Sequence, residues 1–197
     1  MIALIEEVVR LRHTIAAGEQ RRSRHIGHAS DIAAVASTAA FAQAHLPTAT
    51  SCPDARSTLR LATSMVAVPG MALEFGVASG SSLTMIAAQL RGRRIYGFDV
   101  FTGLPEDWRA GFPAGAFAQR PPVVAGANII EGLFEDVLPE FMARHGDPVA
   151  FLYLDADLYS STATALEHVG SRLVEGSVVV FDEYFNYPNW QEHEHKA

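Results

Sequence analysis

One cysteine, Cys52, stands in the 197 residues. A lone cysteine closes no internal disulfide and gives no cysteine-based metal site within one chain. It fits a reducing compartment, so a cytoplasmic protein is expected. Basic charge is also scarce: 15 Lys and Arg stand against 22 Asp and Glu, for a net charge of −7. Surfaces that hold nucleic acid are basic, so DNA or RNA is not expected as the main partner. A local cluster, Arg21, Arg22 and Arg24, reads as a solvated loop. No apolar run reaches the roughly 18 residues of a membrane span, so no membrane partner is expected. The opening MIALIEEVVRLRH carries Glu6 and Glu7 inside its apolar pattern, unlike a signal peptide. What remains, 49% hydrophobic and 19% charged residues, is the composition of a soluble globular chain with a real core.

The pattern changes at Pro69-Gly70. Residues 1–69 read as a helical lead-in: Ile2, Ile5, Val8, Val9 and Ile15 recur at helical spacing. Ser30-Asp31 can cap an Ala-rich helix to about His45, and Pro53-Asp54 can open a third ending near Val68. Residues 70–197 alternate short apolar runs with helical segments. Strands are expected at 71–76, 94–99, 128–132, 150–155 and 177–182, and helices at 81–90, 134–144 and 160–173, with a short turn near Trp108. Runs such as VVVF and FLYL are apolar on both faces, as in parallel strands covered by helices. The fold class expected is α/β, a doubly wound, Rossmann-like, mostly parallel sheet. The Gly-, Ala- and Pro-rich stretch 110–122 reads as a loop over a site.

In such a sheet ligands bind beyond the carboxyl ends of the strands. Six acids fall there: Glu74, Asp99, Asp155, Asp157, Asp182 and Glu183. Crowded carboxylates repel, and burying them costs free energy unless something positive offsets it. The stretch ALEFGVASGSS is a strand, a tight turn and a helix start. Its glycines, Gly76 and Gly80, allow a ligand close to the backbone, but their spacing is not the dinucleotide fingerprint G-x-G-x-x-G. Glu74 suits a cationic group, and Asp99 at the next strand end suits ribose hydroxyls. S-adenosylmethionine has both. The plain alternatives are a tight connection at the glycines and a helix cap at Asp99.

The motifs EFGVASGSS, YGFDVFTGLPEDW, GLFEDVLPEF, LYLDADLYSST and VVFDEYFNYPNW occur in one order. Over about residues 70–190 the chain resembles class I S-adenosylmethionine-dependent methyltransferases, most closely the macrocin O-methyltransferase group. The resemblance implies that Glu74, Gly76, Ala78 and Ser79 line the methionine end of the cofactor and that Ser82 supports that loop. It implies ribose at Asp99, adenosine beside Phe101 and Thr102, and a divalent metal, Mg²⁺ in most relatives, on Asp155, Asp182 and Glu183. Asp155 then faces both cofactor and metal. Asp157, the second acid of D-x-D, matches a general base. Glu183 departs from the family's usual Asp or Asn, so ligation through water is the alternative there. The plain alternative for Asp157 is a loop residue or a help to the cap of the next helix.

The implied activity is a Mg²⁺-assisted O-methyltransferase acting on a hydroxylated small molecule, a metabolite or a natural-product sugar. A nicotinamide-dependent oxidoreductase fits the sheet and Asp99 but not the glycine spacing or the acids. A non-catalytic cofactor-binding or assembly protein is the third reading. Tyr159, Tyr184, Tyr187 and Trp190 suit an acceptor pocket or a core equally, and Trp108 suits a cofactor cover or packing. His193 and His195 in QEHEHKA read as a solvated tail, with a metal reading as the alternative, and His168 as a surface or interface residue. The family's C-terminal antiparallel strand pair is not found after Asp182-Glu183. Truncation, a second copy in a homo-oligomer, or the N-terminal helices folding over the last strand would each account for that edge.

Overall fold

The computed structural model describes residues 2–22, 25–109 and 111–197, without the side chains of 2–6, 16–17 and 20–22. It divides into two compact units: Met1–Ala49 with Phe185–Trp190, and Thr50–Tyr184 with Gln191–Ala197.

The first unit holds α1 (Ile2–Arg22) and α2 (Ile26–His45). Helix α1 runs through Arg21 and Arg22, so those two belong to its last turn and not to a loop. The side chains of the expected basic cluster lie outside the described residues. Segment 185–190 packs on α2 through aromatic rings. Phe41 meets Trp190 edge-on at 5.3 Å and Phe185 at 5.8 Å. The Trp190 indole N–H donates to Ser37 Oγ at 3.0 Å, and the Asn186 amide donates to Thr38 Oγ1 at 3.1 Å.

In the second unit the order is α3 (Ala55–Ser64), β1 (Met71–Phe75), α4 (Ser81–Gln89), β2 (Ile95–Asp99) and β3 (Asn128–Glu131). It continues with α5 (Phe134–Arg144), β4 (Val149–Leu154), α6 (Tyr159–Val169) and β5 (Leu173–Phe181). Helix α3 starts where the sequence places it: the Asp54 carboxylate accepts from the Ser57 amide at 2.7 Å. That bond also holds the Asp54 carboxyl below its ordinary range. The helix packs on α4 and β5, so the units part at 49/50 rather than at the compositional change near Gly70.

The sheet has five strands in the order β3-β2-β1-β4-β5, and every pairing is parallel. This is the doubly wound architecture expected. Strand alternation divides the core. Ala72, Ile95, Phe151 and Tyr153 face α3 and α4; Met71, Leu73, Phe75, Phe98, Leu152 and Leu154 face α5 and α6. Burial on both faces explains the unbroken apolar run of β4; the VVVF run of β5 lies at the sheet edge and is only partly buried. The expected strands fall within a few residues, apart from β5. It begins at Leu173 because α6 stops at Val169 and a short 3-10 turn, Gly170–Arg172, follows. From β1 the chain moves outward to β2 and β3, then returns to β4 on the other side of β1. The crevice between the β1 and β4 loops is therefore the switch point where such sheets bind ligands. Among the described residues no helix is long and apolar enough to cross a membrane.

Candidate active site

A cavity of about 600 Å³ opens at that switch point. Six expected residues line it: Gly76, Ala78, Asp99, Asp155, Asp157 and Glu183. The loops that bring them together follow from local chemistry. Gly76 takes φ +88°, and a Cβ there would stand 1.7 Å from the Asp155 carbonyl oxygen. Only glycine lets the β1 and β4 ends close to this distance. After β4 the Leu158 amide donates to the Ala156 carbonyl at 2.6 Å, a three-residue turn with Asp157 at its centre and φ +62°. Such a conformation costs a non-glycine residue on the order of 1–3 kcal/mol and gathers at functional sites.

Asp99 ties the glycine loop to β2. Its Oδ2 accepts from the Val77 amide at 2.9 Å and the Ala78 amide at 2.8 Å, and its Oδ1 from the Phe101 amide at 2.8 Å. Glu74 does not reach the cavity. It is fully buried, accepts from the Ser82 hydroxyl at 2.5 Å through Oε1, and its Oε2 finds no partner. Burial pushes its carboxyl up to about 8, with Asp155, Asp182 and Asp99 adding to the effect and the Ser82 bond opposing it. Ser82 thus ties the first turn of α4 to β1. Ser79 and Thr102 are exposed and Phe101 is buried in the core; none of the three lines the cavity.

Burial, then the charges of Asp182, Asp157 and Asp99, push the Asp155 carboxyl up to about 8. Asp157 and Glu183 share a hydrogen bond, and burial raises both. Their interaction lowers Asp157 and raises Glu183. Arg109 lies 3.6 Å from Glu183 and draws both downward. Asp182 is turned elsewhere and accepts from the Tyr153 hydroxyl. Among the described residues no group of three or more His, Cys, Asp or Glu side chains is arranged to hold a metal ion. The expected set of Asp155, Asp182 and Glu183 supplies hard oxygen donors but is not assembled as one site in this conformation.

The sequence reading missed much of the wall. Leu104, Pro105, Phe117, Leu133 and Phe134 give the apolar lining, and Glu106 accepts from Ser160 at 2.6 Å across the cavity edge. The available signal was position: GLP and GLF follow β2 and β3 at their carboxyl ends. Trp108 packs in the turn closed by Arg109 and Phe112, under the Arg109 guanidinium at 3.8 Å. Trp190 and Tyr187 are buried, and the Tyr184 hydroxyl meets His195 Nδ1 at 2.7 Å.

Residues 73–184, from inside β1 to just past Glu183, match the family described as "Methyltransferase domain". The chain belongs to that family. This methyltransferase-domain chain is 33% identical over 146 residues to 8-demethyl-8-(2,3-dimethoxy-alpha-L-rhamnosyl)-tetracenomycin-C 4'-O-methyltransferase of Streptomyces olivaceus, covering 59% of the chain and 54% of that protein. It is 29% identical over 147 residues to demethyldecarbamoylnovobiocin O-methyltransferase of Streptomyces niveus, covering 61% and 55%. The chain therefore spans about half the length of these relatives. The crystal structure of CalS11, calicheamicin methyltransferase, aligns at a TM-score of 0.63 and 30% identity over 72% of this chain and 67% of that one. The O-methyltransferase NovP shares the fold, at a TM-score of 0.52 and 24% identity over 66% and 64%.

Proposed function

We propose that the chain transfers a methyl group from S-adenosylmethionine to a hydroxyl of a small metabolite, with natural-product sugars as the favoured acceptor class. The observation that carries this reading is the Asp157–Glu183 pair on the cavity wall, within the span that matches the methyltransferase domain. The cavity volume suits a nucleoside-sized ligand, with apolar walls and a few polar groups to orient it. When bound, S-adenosylmethionine supplies an electrophilic methyl carbon on a sulfonium. Asp157 takes the proton of the acceptor hydroxyl as its oxygen forms the new C–O bond and the S–C bond breaks. The apolar wall excludes water, and positioning both reactants in one cavity supplies much of the acceleration. The acceptor class rests on the names of the relatives.

Calorimetric titration with S-adenosylmethionine, with NAD⁺ as control, tests the reading. Binding of the first alone supports it; no binding by a folded chain overturns it, and binding of NAD⁺ revives the oxidoreductase reading. Divalent-metal assistance by Mg²⁺ is a separate part of the proposal, carried only by the oxygen chemistry of Asp155, Asp182 and Glu183. A bound ion would supply charge stabilisation at the acceptor oxygen. Chelation by EDTA should then abolish turnover and Mg²⁺ should restore it; turnover that persists in EDTA removes the metal and leaves the Asp157 role standing. The proposal places this chemistry in the cytoplasm, where Cys52 stays reduced.

A further inference from the structure

A second cavity, of about 290 Å³, opens in the turn between β2 and β3, lined by Asp107, Trp108, Arg109, Gly111, Phe112 and Pro113. It shares no lining residue with the 600 Å³ cavity, yet the two adjoin. Glu106, on the wall of the larger one, directly precedes Asp107 and is tied to Ser160. Arg109, on the wall of the smaller one, reaches Glu183 on the wall of the larger. Pockets for whole ligands hold roughly 300–1,000 Å³. The smaller space therefore suits one ring of a ligand whose remainder lies elsewhere.

Three features make this turn a built surface rather than a plain connection. Its backbone is closed by its own bonds: the Trp108 amide donates to the Phe112 carbonyl at 3.1 Å, the Phe112 amide to the Arg109 carbonyl at 2.8 Å, and the Ala114 amide to the Asp107 carboxylate at 2.8 Å. Its rings hold one another and form a continuous strip. Trp108 and Phe112 stand 5.2 Å apart, and Phe117, on the wall of the larger cavity and 49% exposed, stacks on Phe112 at 5.3 Å. Last, the Trp108 indole N–H finds no acceptor among the described residues. An unmet donor costs free energy that an incoming oxygen would recover.

We propose that Phe117, Phe112 and Trp108 form an aromatic track for the acceptor, which seats at Trp108 and Phe112 an apolar, oxygen-bearing ring that does not itself react, while the hydroxyl to be methylated lies beside Asp157. That this ring belongs to the acceptor rests on the methyl-transfer reading; the aromatic seat rests on the geometry of the turn. Flat rings stack on Trp and Phe with a gain that a methyl group in the same place lacks. Binding energy gathered at such a remote seat positions the reacting group. Trp108 and Phe112 are thereby specificity-determining residues, outside the cavity where the chemistry takes place.

The seat is tested first without turnover. The chain has two tryptophans, so ¹⁵N labelling gives two indole N–H signals, and W108F assigns them. The probes are the 4-nitrophenyl glycosides of glucose, galactose, rhamnose and fucose, with S-adenosylhomocysteine present and absent. At least one should shift the Trp108 signal saturably, and its methyl glycoside should bind about tenfold more weakly. No shift with any aryl glycoside, or equal affinity for aryl and methyl forms, overturns the inference. The second arm follows methyl transfer from S-adenosylmethionine to the same pairs. The kcat/KM ratio of aryl over methyl glycoside should be about ten in the wild type. It should fall close to one in W108A and in F112L, through a higher KM for the aryl form. A ratio that survives both substitutions overturns the seat at these rings. If neither variant folds, the indole titration of the wild type decides. If the chain binds no S-adenosylmethionine, the proposed function fails and the indole titration still judges the seat.

Discussion

At the scale of single residues, Asp157 and Glu74 make opposite predictions. Asp157 lines the cavity beside Glu183, so Asp157→Asn should lower turnover by about 10²–10⁴-fold, the usual contribution of a general base. Cofactor affinity should change little in the same titration; a variant with normal turnover removes Asp157 from the proton transfer. Glu74 touches no part of the cavity and acts through stability. Its carboxyl, raised from 4.5 to about 8, holds in the folded chain a proton that the unfolded chain has released across that window. Its stabilising share is complete below the lower value and is lost as pH rises through about 8. Ligand-free melting temperature should fall from about pH 6 to pH 9, and Glu74→Gln should flatten part of that fall. An unchanged slope in the variant would assign the dependence to Asp155 and its neighbours. The sequence made all six acids legible because strand ends are where ligands bind. It could not say which way each would turn. Asp99 spends its oxygens on backbone and Asp182 on Tyr153, choices set by contacts between distant strands.

At the scale of elements, the sheet was readable because parallel strands buried on two faces must be apolar throughout. FLYL falls in such a strand, β4, whereas VVVF falls in the edge strand β5, where no residue is fully buried and Val179 is exposed. The β5 start was hidden because LVEG carries no strand alternation and follows a helix directly. The glycine loop was read as an approach for ligand, yet the nearest neighbour of Gly76 is the protein itself. Gly76→Ala places a Cβ against the Asp155 carbonyl and asks alanine to adopt φ +88°. Overpacking of this kind costs about 1–3 kcal/mol, so melting temperature should drop by about 2–12 °C. A variant that melts like the wild type would mean the β1 and β4 loops part freely. Cavity walls from 104–106 and 133–134 escaped the reading because Leu, Pro and Phe look the same in a core and around a nucleoside.

At the scale of the whole molecule, the sequence placed a change of rhythm near Gly70, but contacts draw the line after Ala49. Amphipathic periodicity tells that α3 buries a face, not which surface it covers. The return of segment 185–190 to α2 left no periodic signal at all, since it depends on individual aromatic rings. Trp190 is 1% exposed, and Trp190→Ala should cost the helical unit about 3–5 kcal/mol. Hydrogen exchange should then speed up along α2; unchanged protection there would show that the indole contributes nothing to that unit. Ser37 and Trp190 stand 153 positions apart in the chain. At a synthesis rate of about 5–20 residues per second, this stretch of α2 is made about 8–30 s before its aromatic partner exists. During that interval the face of the nascent helix that receives Trp190 is bare, and a cell lacking chaperone capacity should lose more of this chain to aggregation when translation is slowed.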